Sequence, residues 1–352
     1  MSWKKINIQR DNGEWVEAQA PIIVSASRST DIPAFYADWF FDRLKVGYSA
    51  WTNPFNGVKS YVSYQDTRFI VFWSKNPAPI IPHLDYLKER NIGCYIQFTL
   101  SDYEREKLER GVPPLHFRID TFKRLVDKLG KGRVIWRFDP LLLTSNITPD
   151  DLLQKIENIG DQLHGYTEKL VFSFADILTY RKVKSNLEKN NILYVDWTDD
   201  MMRDFAKNLV HLNEKWNYQL ATCGERLSFD GVEHNHCIDD DLIIRFAFTD
   251  KALMDFLKVK EYPLPTADIF GEIPCLPNDA IILPNGKYAT HGNNQDKGQR
   301  LFCGCINSKD IGEYNTCPHL CEYCYANTSK EIAKQNYKVH KLNPNSESIT
   351  GK

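Results

Sequence analysis

The sequence predicts an α/β fold, a full or partial (β/α) barrel, on three observations. Short apolar β-type runs recur between residues 21 and 225, and there are six of them. Each is followed by a polar turn and an amphipathic helical stretch. The runs are near-continuously apolar rather than alternating, as parallel strands covered on both faces are. An open doubly wound sheet is the rival arrangement. No glycine-rich phosphate loop follows any of the runs, which argues against a Rossmann or P-loop site.

In chain order the runs are PIIVSA (21–26), RFIVFW (68–73), CYIQFT (94–99), RVIWRF (133–138), KLVFSF (169–174) and YQLATC (218–223). Helix starts are legible between them. Asp31 caps a helix with Pro33 in its first turn, and Thr148 caps another with Pro149 at the first position. Thr198 precedes Asp199 and Asp200, whose charges suit the positive end of a helix dipole. Between the first two runs, GYSAWTNPFNGVKSYVSY reads as a hairpin around Asn56-Gly57. In that stretch Trp51 and Phe55 are candidates to stack a planar ligand or to plug the barrel end. The organisation expected is an N-terminal extension (1–20), barrel-like repeats (21–225), a cysteine-rich segment packing on the barrel (226–340) and a tail (341–352).

Composition narrows the function classes. Lysine and arginine number 44 against 46 aspartate and glutamate, a net charge of −2, so no basic excess points to nucleic acid. Neither a signal peptide nor a membrane span is legible, which gives the expectation of a cytoplasmic protein with reduced thiols and no membrane partner. Clustered cysteines then point to metal or redox chemistry rather than disulfides.

Ligands of α/β sheets bind at the carboxyl ends of the strands. There the sequence places Arg28 and Asp31, Lys75 and Asn76, Gln97, and Arg137 and Asp139. Arg137 and Asp139 put charges inside an otherwise apolar run, which is costly unless they are paired or functional.

Five of the nine cysteines fall between residues 303 and 324. Cys317, Cys321 and Cys324 form C-x3-C-x2-C in CPHLCEYCYA. Three thiolates on one loop can ligate three irons of a [4Fe–4S] cluster and leave the fourth open, as a reactive site needs. The competing reading is a zinc knuckle that adds His319. Cys303 and Cys305, with Cys223 and Cys237, are candidates for a second site, either Fe–S or tetrahedral zinc. Cys94, inside a strand run, reads as core.

CPHLCEYCYA resembles the core motif of radical S-adenosylmethionine (SAM) enzymes, down to the aromatic Tyr323 before the last cysteine. Over residues 25 to 327 the chain also resembles the bacterial family called domain of unknown function 1848. That likeness is carried by SASRSTDIPAFYADWF, NPFN, VFWSKNPAP, QFTL, RVIWRFDPLLL, HCID and CGC…DIGEYNTCPHLCEYCYAN. The family's C-terminal cysteine cluster is similar to the radical SAM one. The resemblance implies a [4Fe–4S] site at Cys317, Cys321 and Cys324, and SAM. It implies an enzyme that makes a 5′-deoxyadenosyl radical to modify an unknown substrate, with a reducing partner such as flavodoxin or ferredoxin. Arg28, Lys75, Arg137 and Asp139 would hold SAM or substrate beside the open iron. Tyr323, Asp31, Asn76 and Gln97 would line the cofactor site.

The chain departs from ordinary radical SAM enzymes in two ways. Its motif follows the repeats instead of the first strand, and it has no Gly-Gly-Glu motif for the SAM amine. A circularly permuted barrel, whose last helix feeds into the strand at 21–26, would reconcile the order. The alternative is a non-catalytic Fe–S or zinc protein with electron-transfer or structural metal sites. In motif style the chain is also similar to spore photoproduct lyase, which makes nucleic-acid base repair or modification a minor alternative; the near-neutral charge does not favour it.

Overall fold

A computed structural model describes residues 3–53, 56–266 and 274–351, so Phe55 and the Pro54–Phe55 part of NPFN lie outside the described residues. Eight strands form one parallel sheet: β1 (Ile23–Ala26), β2 (Phe69–Ser74), β3 (Gly93–Thr99), β4 (Val134–Leu141), β5 (Lys169–Phe174), β6 (Gln219–Thr222), β7 (Glu233–His234) and β8 (Lys309–Asp310). The first six match the six apolar runs within a few residues. Across the sheet the order is β7, β6, β5, β4, β3, β2, β1, β8. Strands β1 to β7 therefore follow one another in chain order, while β8 adds beside β1 (Lys309 opposite Val24). No pairing joins β7 to β8, so the expectation of a full barrel is corrected: the sheet is open. Beyond β6 and β1 each edge carries only a two-residue strand.

Both faces of the sheet are buried, which is why the runs are near-continuously apolar. One face (Val24, Ile70, Ile96, Trp136, Phe172) packs against the helices of the repeats, among them α1 (Ile32–Phe35), α2 (Ala37–Val46), α3 (Leu84–Glu89), α4 (Leu115–Leu129), α5 (Pro149–Leu163), α6 (Arg181–Lys189) and α7 (Asp199–Asn213). The opposite face (Ile23, Val71, Tyr95, Ile135, Val171) is covered from the C-terminal third of the chain. There α8 (Asp240–Ala247), α9 (Lys251–Leu257) and a small antiparallel sheet of 260–263, 281–282 and 287–290 lie over it. Residues 226–340 thus supply two strands of the main sheet as well as the cover of one face.

The expected caps are present. Asp31 accepts from Ala34 N, Thr198 accepts from Met201 N, and Thr148 forms a reciprocal capping box with Asp151. The hairpin also forms, with 48–52 antiparallel to 59–63 and Gly57 at φ +68° in its turn. It joins strands 5–9 and 15–19 in a separate four-stranded sheet. The polypeptide ends in α10 (Lys330–Leu342) and a segment that returns to the N-terminal region, where Glu347 pairs with Arg10 at 2.8 Å.

Candidate metal centres at the carboxyl end of the sheet

The loop that carries Cys317, Cys321 and Cys324 lies against the carboxyl ends of β1 and β2, and its anchors are buried. His319 Nε2 is 2.7 Å from Asp31 Oδ2, and His319 Nδ1 is 3.0 Å from the carbonyl of Gly111. The carboxylate of Asp31 also accepts from Ser74 Oγ and from the amide of Lys75. Asp31 is therefore a clamp between helix α1, strand β2 and the cysteine loop. Tyr36 donates to Thr316 O, the amide of Gly111 donates to His319 O, and that of Glu322 donates to Leu108 O. Gly111 is required where it stands: a Cβ there would lie 2.7 Å from the carbonyl oxygens of His319 and Pro318.

Next to Cys321 sits a buried triad. Lys75 Nζ is 2.7 Å from Glu109 Oε1 and 3.0 Å from the Tyr323 hydroxyl, which itself donates to Glu109. Burial works against the Lys75 ammonium, but Glu109 and Cys321 more than offset it and raise its pKa. Burial also opposes the Glu109 carboxylate, yet Lys75 and Arg118 lower its pKa to about 2. Burial, reinforced by Glu109, keeps the Tyr323 phenol protonated. Glu109 was not among the residues singled out from sequence. It lies in the charged stretch YEREKLERG, which reads as a solvated face.

The three loop thiols are half-buried, and burial pushes the pKa of each up. They ionise when a bound metal supplies the compensating charge. Backbone amides are in place for ionised sulfur: Asn327 N is 3.4 Å from Cys324 Sγ, and those of His319 and Asp31 reach Cys317. Among the described residues, Asp240, Asp241 and His291 bring three potential metal-ligand atoms within 4.8 Å of one another. Both His319 nitrogens are already engaged, by Asp31 and by the Gly111 carbonyl, so His319 is not free to complete a zinc knuckle with the three thiols.

Cys223, Cys237, Cys303 and Cys305 meet at a second place, beyond the ends of β3 to β6. The Sγ atoms of Cys223 and Cys237 are 3.1 Å apart. Arg137 Nη1 lies 3.2 Å from Cys237 Sγ and 3.2 Å from Gln97 Oε1, and Arg137 Nη2 pairs with Asp139. Ser173 donates to Asp139, and Gln97 Nε2 donates to the Cys237 carbonyl. Hydrogen bonding from Cys223 and Cys305, helped by Arg137, holds the Cys237 thiol well below its ordinary range. Cys305 does the same for Cys303, which falls to about 6.

The candidates therefore divide between two groups of thiols. Asp31, Lys75 and Tyr323 belong to the Cys317 loop, whereas Gln97, Arg137 and Asp139 belong to the second group. Arg137 and Asp139 pair with one another beside Cys237, whereas Lys75 stands beside Tyr323 and Cys321. Arg28 stands between the groups. Its carbonyl accepts from Tyr325, in the loop, while its guanidinium lies by Cys305, Cys237 and Cys303. Asn76 hydrogen-bonds Ser74 through its amide and keeps a buried Oδ1 without a partner. Trp51 donates to Gly312 O under the ammonium of Lys309, and Cys94 is buried in the core of the sheet.

No described helix is long and apolar enough to cross a membrane. No curated protein matches the sequence. The family model described as Domain of unknown function (DUF1848) matches residues 23–326, most of the chain, and the protein belongs to that family.

Proposed function

We propose that the protein is a radical SAM-type enzyme that holds a [4Fe–4S] cluster on Cys317, Cys321 and Cys324, within a partial (β/α) barrel of circularly permuted order. The observation that carries this reading is the place of β8. It lies parallel beside β1, and the cysteine motif begins at Cys317, shortly after its last residue, Asp310. Helix α10 follows the motif and packs Tyr337 and His340 on Tyr36, at the start of the first repeat. Read through space, the order is strand, cysteine loop, helix, then β1 and the remaining repeats. That is the order in which radical SAM enzymes carry the motif after their first strand.

A cluster held by Cys317, Cys321 and Cys324, with SAM bound, would supply one-electron radical chemistry at this strand end. The chain's own residues bind, orient and exclude water. Asp31 and His319 fix the loop to the sheet. Lys75, Glu109 and Tyr323 form a dry, hydrogen-bonded wall beside Cys321. The buried Oδ1 of Asn76 offers an acceptor to a ligand donor at the same strand end.

The experiment is anaerobic purification followed by iron and sulfide analysis, then electron paramagnetic resonance of the reduced protein with and without SAM. About four irons on the Cys317 loop are expected, lost when its three cysteines become alanine, together with a spectrum that SAM perturbs. A colourless protein with stoichiometric zinc on that loop would overturn the cluster. An iron cluster indifferent to SAM would leave an electron-transfer or structural role in its place.

A further inference from the structure

The second group of thiols is assembled from three separated segments. Cys223 directly follows β6, Cys237 stands between β7 and α8, and Cys303 and Cys305 come from the irregular stretch before β8. The sulfurs of Cys223 and Cys237 are 3.1 Å apart, and Cys305 neighbours both Cys237 and Cys303. Amides point at them as they do at ligated sulfur. Cys237 N and Ile238 N lie 3.2 and 3.4 Å from Cys305 Sγ, and Asn235 Nδ2 lies 3.4 Å from Cys237 Sγ. Gly304 is the residue that lets both flanking thiols turn inward, because a Cβ there would sit 2.2 Å from the His236 ring.

Cysteines that are buried, as three of these are, can also be small core hydrophobes. Such a core has no use for guanidiniums, and this group has three around it. Arg137 contacts Cys237, Arg28 lies by Cys305, Cys237 and Cys303, and Arg300 lies by Cys223 and Cys303. Arg28 Nη2 is buried there without a hydrogen-bond partner. The neighbouring carboxylates are Asp139, paired with Arg137, Asp310, bound to the Arg28 amide, and Glu225, near Arg300. The unmet buried donor of Arg28 is costly to leave so. Ionised sulfurs at this spot would meet it.

We propose that Cys223, Cys237, Cys303 and Cys305 form a second, four-thiolate metal centre, separate from the Cys317 loop, that takes zinc or an iron–sulfur cluster. Binding releases the thiol protons to solvent, and the thiolates coordinate the metal with no change in their oxidation state. With four protein ligands the centre is closed, unlike the three-cysteine loop. It ties the stretch before β8 to the ends of β4 and β6 and does not bind substrate.

The test uses the full-length triple variant C317A/C321A/C324A, which removes the other thiol group. It is reconstituted without oxygen, once with ferrous iron and sulfide and once with zinc. Metal, acid-labile sulfide and the sulfur count from X-ray absorption are then measured. One metal ion or one cluster per chain with about four sulfur ligands is expected, the sulfide content telling zinc from iron–sulfur. Adding Cys303→Ser should cut metal retention at least tenfold. A triple variant with the wild-type circular dichroism that retains no metal, or holds metal without sulfur ligands, overturns the centre. Should the triple variant not fold, alkylation of the wild-type protein before and after chelation decides: the four thiols should be protected only before it, and equal labelling overturns the centre. Loss of the Cys317 cluster reading leaves these outcomes unchanged.

Discussion

Glu109 concentrates much of the electrostatics of the Cys317 loop in one carboxylate. Its Oε1 accepts from Lys75, Ser101 and Tyr323, while Oε2 is buried without a partner. A folded pKa of about 2 against an ordinary 4.5 makes the ionised form a stabilising group. That difference corresponds to about 3 kcal/mol, an upper figure, present above pH 4.5 and lost as the pH falls from 4.5 toward 2. Glu109→Gln should therefore destabilise the protein by up to about 3 kcal/mol at pH 7 in denaturant unfolding, with the gap to wild type shrinking by pH 3. A gap that stays constant across that range would mean the carboxylate is not ionised in the fold. Lys75 could be read from sequence because it directly follows an apolar run, and Arg137 because it interrupts one. Glu109 could not. Only the fold turns that one member of a charged stretch inward, against a lysine more than thirty positions away.

Among the elements, those that announce themselves by composition were legible and those held by neighbours were not. The six apolar runs became β1 to β6 because both faces are covered, and no position of β1, β2, β3 or β5 is exposed. The N-terminal strands 5–9 and 15–19 alternate between exposed and half-buried residues and carry little apolar signal. Strand 260–263 is exposed along its whole length and exists through its pairing with 287–290. The cysteine loop has no regular structure, and its conformation depends on contacts such as Gly111 against His319. In Gly111→Ala the new Cβ meets the backbone of Pro318 and His319, so the loop must move away. We expect a loss of about 1–3 kcal/mol in stability and a lower iron content per chain, read by thermal melting and by metal analysis of anaerobically purified protein. Wild-type values of both would show that the loop is not anchored through this contact.

At the scale of the whole molecule, closure is the property that the sequence could not decide. A barrel and an open sheet ask for the same apolar runs, and they differ only in whether the last strand pairs with the first. Here the edges are two-residue strands, and α8, α9 and the small sheet cover the face that a barrel would enclose. The proposed permuted order carries its own test. The chain returns to its beginning: Glu347 pairs with Arg10, its carbonyl accepts from Ala50 N, and Trp39 donates to Ser346 O. A flexible linker of about ten residues can span from the C-terminal tail to the N-terminal strand at roughly 5–6 Å times the square root of its length, and further when extended. New ends can be opened at Asn278–Asp279, in an exposed turn. The resulting permutant runs from 279 through β8, the cysteine loop and α10 into β1, the order in which radical SAM enzymes carry their motif. Because no sheet pairing is broken, it should melt within a few degrees of the parent and incorporate the same iron on Cys317, Cys321 and Cys324. A permutant that folds but takes up no iron would show that the loop depends on its present connection to the 279–308 stretch. One that fails to fold would show that the contacts between the two ends do not substitute for a covalent link, and the permuted-barrel description would fail with it.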